Sequence, residues 1–210
     1  SLSFQWIYGE DIFAHAIGEP INTDDESSLI NLLERLPYSR NRTINKVHDM
    51  NSLPNLSLGN HKNNNSNHSE VLGLLGPAWQ KNNSQVLKII QDLINKRPNK
   101  SCYVASQQLG GITHLTDLDT SFIHREAIWK PWINGAWNAC DQSKRKSTLK
   151  WMEEAWNNLE FICPGVHLAQ IHPHLPWHKR ELSTAFKDWL PTLQEIKGIH
   201  DPRNLMPPLK

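Results

Sequence analysis

Between Pro77 and Pro98 the apolar residues Val86, Leu87, Ile89, Ile90, Leu93 and Ile94 recur at helical spacing, one stripe that has to be buried against a partner surface. Ser84 is placed to cap this helix and Pro98 to stop it. Short apolar runs stand on either side, Val71 to Gly76 before it and Cys102 to Gln107 after it. Both have strand length, so the helix has a sheet to cover. The same alternation of strand and helix continues without the regularity of βαβ units. Phe4 to Tyr8 alternates as a strand. Asp24 or Asp25 caps a helix carrying Leu29, Ile30, Leu32, Leu33 and Leu36, which Pro37 ends. Gly110 and Gly111 form a kink between the 102–107 strand and a second one over Ile112 to Leu115. Ile128 to Trp137 reads as another strand, and Val166 to Ile171 as a further one. Ser143 or Ser147 opens a helix with Leu149, Met152, Ala155, Trp156 and Leu159. The last helix carries Leu182, Ala185, Phe186, Trp189, Leu190, Leu193 and Ile196, with a kink or restart at Pro191. This irregular interleaving predicts an α+β fold, an antiparallel sheet covered on one face by helices. The other face of such a sheet is free to line a cavity.

Composition narrows the function classes. The formal net charge is +1, far from the basic footprint of a nucleic-acid binder. No apolar run approaches the roughly 20 residues that cross a bilayer. The three cysteines, Cys102, Cys140 and Cys163, are odd in number and widely spaced, which fits buried thiols better than a disulfide framework or a zinc knuckle. His167, His172, His174 and His178 lack the HExxH pattern and stand among Pro173 and Pro176, so they read as an irregular surface loop and not a metal site. Residues from Tyr38 to Ser69 read as a mobile excursion, because Asn60 to Ser69 contains nothing apolar to bury. Asn41, Asn55, Asn64, Asn67, Asn82 and Asn99 head glycan-acceptor sequons. No signal peptide is visible, which favours the cytoplasm, and the sequons leave secretion open. The chain opens in mid-pattern on Ser1 without Met, which suggests a crop, a processed product or a partial gene.

Three stretches in order resemble the C-terminal half of FAD-linked oxidases of the berberine-bridge type, over roughly residues 100–208. The first is Gly110-Gly111 followed by Asp119-Thr120-Ser121-Phe122-Ile123-His124-Arg125, similar to the family's Gly-Gly strand and its Thr-Ala-Phe-Pro-His-Arg segment. The second is the aromatic strand and helix from Trp132 to Trp156. The third is Leu193, Ile196 and Lys197 followed by Asp201-Pro202-Arg203-Asn204-Leu205-Met206, similar to the family's closing Asp-Pro-x-Asn turn. The sequence departs from the family where His167-Leu168-Ala169-Gln170 stands in place of a Tyr-x-Asn-Tyr segment.

The resemblance implies a two-domain flavoenzyme that oxidises an alcohol, sugar or amine-type small molecule by hydride transfer to FAD. The FAD would be held largely by a domain or chain other than this one, and the open face of the sheet would lie toward it. Residues 1–180 would form the substrate domain, with the mobile loop at about 38–69, and residues 181–210 a helix and tail that dock on the FAD domain. His114, on the strand that faces the flavin in the family, is the candidate base, its ordinary pKa of about 6.5 suiting proton removal. Gln107, Trp129, Asn134 and His167 are candidate substrate contacts, and Asn204 a candidate cofactor contact. Arg125 has a structural role at the strand turn. By strand alternation Trp129 and Trp137 share one face of the sheet and Trp132 takes the other. The competing expectation is a catalytically inactive partial protein, a ligand-binding lid without redox activity.

Overall fold

The computed structural model describes residues 2–8, 12–19, 21–35, 67–115 and 120–209. The expected excursion before residue 67 and Asp119 lie outside them. In chain order the described elements are β1 (Leu2–Tyr8), β2 (Ile12–Gly18), α1 (Thr23–Glu34), β3 (Asn67–Leu75), α2 (Asn83–Asn95), β4 (Tyr103–Gln108), β5 (Trp129–Asn138), α3 (Gln142–Leu159), β6 (Gly165–Val166), α4 (His178–Phe186) and α5 (Leu190–His200). The strands form one sheet in the order β2-β1-β4-β5-β3-β6, and every paired neighbour is antiparallel. The architecture is therefore α+β, as the pattern predicts.

The helices gather on one face. Gly135 of β5 shows where α3 crosses, since a Cβ there would meet Met152 Sδ at 2.4 Å and Thr148 Cγ2 at 2.6 Å. Ile133, on the same face of β5, pairs with Leu72 of β3 and Val104 of β4. All three are fully buried together with Val86, Ile90 and Leu93 of α2, Met152 and Trp156 of α3 and Leu182 of α4. Burying such a stripe contributes about 1.5–3 kcal/mol for each large apolar side chain. α1 packs on this face too, for a Cβ on Gly18 would meet Leu29 at 2.3 Å.

Several local expectations are corrected by caps and turns. α1 is capped by Asn22, whose side chain accepts from the Asp25 N–H at 2.9 Å, and not by Asp24 or Asp25. α2 starts at Asn83 after a 3-10 turn over Gln80–Asn82, one residue ahead of Ser84. α3 is capped by Asp141, which accepts from the Lys144 N–H at 2.8 Å, so Ser143 and Ser147 lie inside the helix. The strand expected after the Gly-Gly kink is absent. Gly110 and Gly111 take φ values of 141° and 61°, a left-handed backbone that glycine tolerates, and residues Gly111–His114 form a 3-10 turn. Of the strand expected over 166–171 only Val166 joins the ladder with β3, together with Gly165 before it, and Leu168–Gln170 is again a 3-10 turn. β3 reaches back to Asn67, so the last residues of the Asn-rich tract pair with β5. The restart at Pro191 is present: a 3-10 turn over Lys187–Trp189 separates α4 from α5, with proline in the first turn of α5.

Candidate functional site

The face of the sheet opposite α3 is built from β3, β4 and β5. Residues paired across antiparallel strands project to the same side. Gln107 pairs with Lys130, Ala105 with Trp132 and Tyr103 with Asn134. Gly73 and Val71 of β3 pair with Trp132 and Asn134 from the other flank. Lys130 is the unusual member. It is 5% exposed, and its ammonium stands 4.6 Å from the centroid of the Trp132 ring. Among the described residues it has no hydrogen bond or ion pair. Burial pushes its amine down to about 8. Beside it, the Trp132 indole N–H is buried without an acceptor.

The chain after β6 closes one side of this face. His167 donates its backbone N–H to the Gly73 carbonyl at 2.9 Å, and the turn that follows folds over β3. Gly73 is needed here because a Cβ would come within 2.2 Å of Gln170 Oε1 and 3.1 Å of His167 Cβ. The Gln170 carbonyl oxygen accepts from His167 Nδ1 at 2.8 Å. That bond places the ring proton on Nδ1 and leaves the Nε2 lone pair unused. Burial first, and then the nearby charge of Lys130, lower the His167 pKa, against a smaller opposing effect of Gln170. Among the described residues the face thus presents a neutral imidazole with a free acceptor nitrogen beside donors that have no acceptor.

Of the residues singled out from sequence, Gln107, Asn134 and His167 lie along this face. Asn134 is engaged at its end of the sheet, donating to the Ser101 carbonyl at 3.2 Å. Trp129 is on the other face, buried in the core against Trp79 with its indole donating to Ser106, and is corrected to a packing residue. His114 is corrected from a strand to an exposed turn, its ring 3.6 Å from where a Cβ of Gly110 would stand. Asn204 adopts a φ of 54° and donates its N–H to the Asp201 carbonyl at 2.9 Å, forming the closing turn. Asp201 orders that turn by accepting from Leu205 N–H at 2.7 Å and Met206 N–H at 3.0 Å and by pairing with Lys197, which with these bonds lowers its pKa to about 2. Arg125 does have a local structural setting, bonded to Thr120 with its guanidinium 5.1 Å from the Phe122 ring centroid. Trp132, set by strand alternation on the face opposite Trp129 and Trp137, lies here as well, whereas sequence reasoning gave Lys130 and Gln170 no role. The available signal was a lysine, the one charged residue, inside the strand-like run from Ile128 to Trp137.

The histidine-rich run is also not a surface loop. His172 is 4% exposed and lies between two carboxylates, with Nδ1 2.6 Å from Glu181 Oε1 and Nε2 3.3 Å from Glu70 Oε2. Its backbone N–H donates to the other Glu181 oxygen at 2.7 Å. His68 and His174 both bond Glu70 Oε1 at 2.8 Å. Burial raises the Glu70 pKa, but the bonds from His68 and His174 and the charges of His172 and His174 outweigh it and the net shift is downward. Among the described residues no group of three or more His, Cys, Asp or Glu side chains is arranged to hold a metal ion. Nor is any described helix long and apolar enough to cross a membrane.

No protein-family model and no curated protein sequence matches the chain. Its fold, however, matches solved structures. Wild-type BBE-like 1 of Physcomitrella patens superposes with a TM-score of 0.67 at 14% identity, covering 100% of this chain and 47% of that one. A variant of berberine bridge enzyme gives 0.65 at 15% identity, covering 99% of this chain and 48% of that one. CrmK, a flavoenzyme involved in shunt product recycling in caerulomycin biosynthesis, gives 0.65 at 17% identity over 97% of this chain and 45% of its own. The chain therefore has the fold of about half of a berberine-bridge-enzyme-like oxidoreductase. The resemblance read from the sequence motifs is matched by the whole described architecture.

Proposed function

We propose that the chain forms the substrate side of a flavin-linked oxidoreductase whose FAD is held mainly by another domain, and that it oxidises an alcohol, sugar or amine-type small molecule. The observation that carries this is the sheet face built on Gln107, Lys130, Trp132 and His167, in a fold shared with flavoenzymes. Among the described residues its donors lack acceptors, and the Trp132 ring beside them suits a flat bound molecule that brings acceptor atoms to them. A bound flavin would supply a two-electron acceptor able to take a hydride.

The chain's own residues would do the rest. His167, neutral and with its tautomer held by Gln170, accepts the proton of the substrate hydroxyl or amine at Nε2. Lys130 and Gln107 hold the substrate's polar end, and the Trp132 ring offers a flat apolar support. The exposed turn at His114 leaves that residue without a positioning partner of this kind, so the base role passes to His167. The Asp201–Met206 turn is the part of the tail that would rest on the FAD domain.

The test uses the polypeptide of the complete reading frame. It should purify with flavin absorbing at about 450 nm. His167→Ala should slow flavin reduction by about 10²–10⁴-fold with flavin content unchanged. A complete polypeptide that neither carries nor takes up flavin would remove the proposal.

A further inference from the structure

Resting on the reading of this face as the substrate side, we infer that its substrate carries an anionic acceptor, a carboxylate on a flat apolar body, docked on Lys130. The inventory of bonds points that way. Lys130 is nine-tenths buried, yet no carboxylate among the described residues balances it. Gln107, its partner across the β4–β5 register, is half-buried and adds an amide N–H donor. The Trp132 indole N–H, next but one along β5, is buried with no acceptor. Three donor-bearing side chains on adjoining positions lack acceptors among the described residues. The ammonium is partly desolvated on this face, and a ligand oxyanion meeting it there would offset that cost. A neutral hydroxyl could accept one of these bonds but would leave the ammonium unbalanced.

Among the described residues, the titratable group facing Lys130 from another segment is His167, whose pKa the lysine charge helps to lower. With His167 neutral, the charge that the described residues bring to this face is positive and comes from Lys130. Desolvation already brings the amine to about 8, so an anion bound there should draw a proton onto it near that pH.

Benzoate is a suitable probe, with benzamide as its neutral analogue, titrated by calorimetry into both the 210-residue chain and the flavin-loaded complete polypeptide. Benzoate should bind at least about tenfold more tightly than benzamide, a difference of about 1.4 kcal/mol. Lys130→Met should remove that preference by weakening benzoate far more than benzamide, with far-ultraviolet circular dichroism unchanged, and Lys130→Arg should retain part of it. Near pH 8, heats in buffers of different ionisation enthalpy should show net proton uptake by wild type and none by Lys130→Met. Equal affinity for the two probes, or benzoate binding untouched by Lys130→Met, overturns the inference. Benzoate binding that disappears once flavin is loaded also overturns it, because the lysine then serves the cofactor. If Lys130→Met does not fold, Lys130→Gln repeats the comparison under the same criteria. A flavin-bearing protein that ignores benzoate would refute the anionic substrate and leave the oxidoreductase reading standing, whereas absent flavin would do the reverse.

Discussion

At the scale of single residues, close approaches set the largest local sensitivities. Gly76 joins the end of β3 to β5, donating to the Trp129 carbonyl at 2.8 Å and accepting from Trp129 N–H at 2.9 Å. A Cβ there would lie 2.5 Å from the Ile162 backbone oxygen, which cannot rotate away as a side chain would. Gly76→Ala is expected to lower the unfolding free energy by about 1–3 kcal/mol, and an unchanged urea midpoint would contradict that packing. Glu70 has a pH signature of known sign. Its folded pKa lies below 4.5, so its contribution to stability is complete above that value and is lost as pH falls through the lower folded value. Denaturation midpoints measured between about pH 6 and about pH 3 should fall more steeply for wild type than for Glu70→Gln. Parallel curves would mean that the bonds to His68 and His174 are energetically idle. None of this was visible locally, since Glu70 is an ordinary polar strand residue until His172 and His174 arrive from the far end of the chain.

Among elements, the telling cases are the helix ends and the ties between helices and sheet. Asp141→Ala removes the side chain that caps α3 and should cost about 1 kcal/mol, read as a lowered thermal midpoint. Ser143→Ala, at one of the two serines the pattern offered as cap, should leave the midpoint nearly unchanged. The amphipathic stripe located the helix, but several nearby polar residues were competent caps, and only the path of the incoming loop chooses between them. Glu181 is a stronger tie. It is fully buried and binds both the ring and the backbone N–H of His172, so it fastens α4 to the segment over β3. Glu181→Ala leaves His172 beside Glu70 with its other nitrogen and its N–H unpaired, and should destabilise the protein by about 3–5 kcal/mol in urea denaturation. A loss below about 1 kcal/mol would show that the buried pair is replaceable. Helix existence was legible because it depends on spacing along the chain. This tie was not, because its partners are separated by turns whose geometry no periodicity records.

For the whole molecule, the proposal predicts that the chain purified alone is colourless, since it spans about half of the flavoenzyme and berberine-bridge-like structures it matches. Stoichiometric absorbance at about 450 nm from the chain alone would show that it retains flavin without a second domain. The sequence by itself determined the α+β class and the sidedness of the tryptophans, because hydrophobic spacing and strand alternation are properties of neighbours along the chain. It also carried the likeness to flavin-linked oxidases in the order of its motifs, and it singled out Gln107 and His167. Tertiary structure alone decided that Trp129 packs inside, that His114 ends in a turn, and that Lys130, with no counter-ion among the described residues, stands partly desolvated beside a histidine held by Gln170. Those outcomes turn on which strands pair and in what register. Pairing brings side chains from distant segments into one low-dielectric space, and the cost of an unmatched charge exists only there.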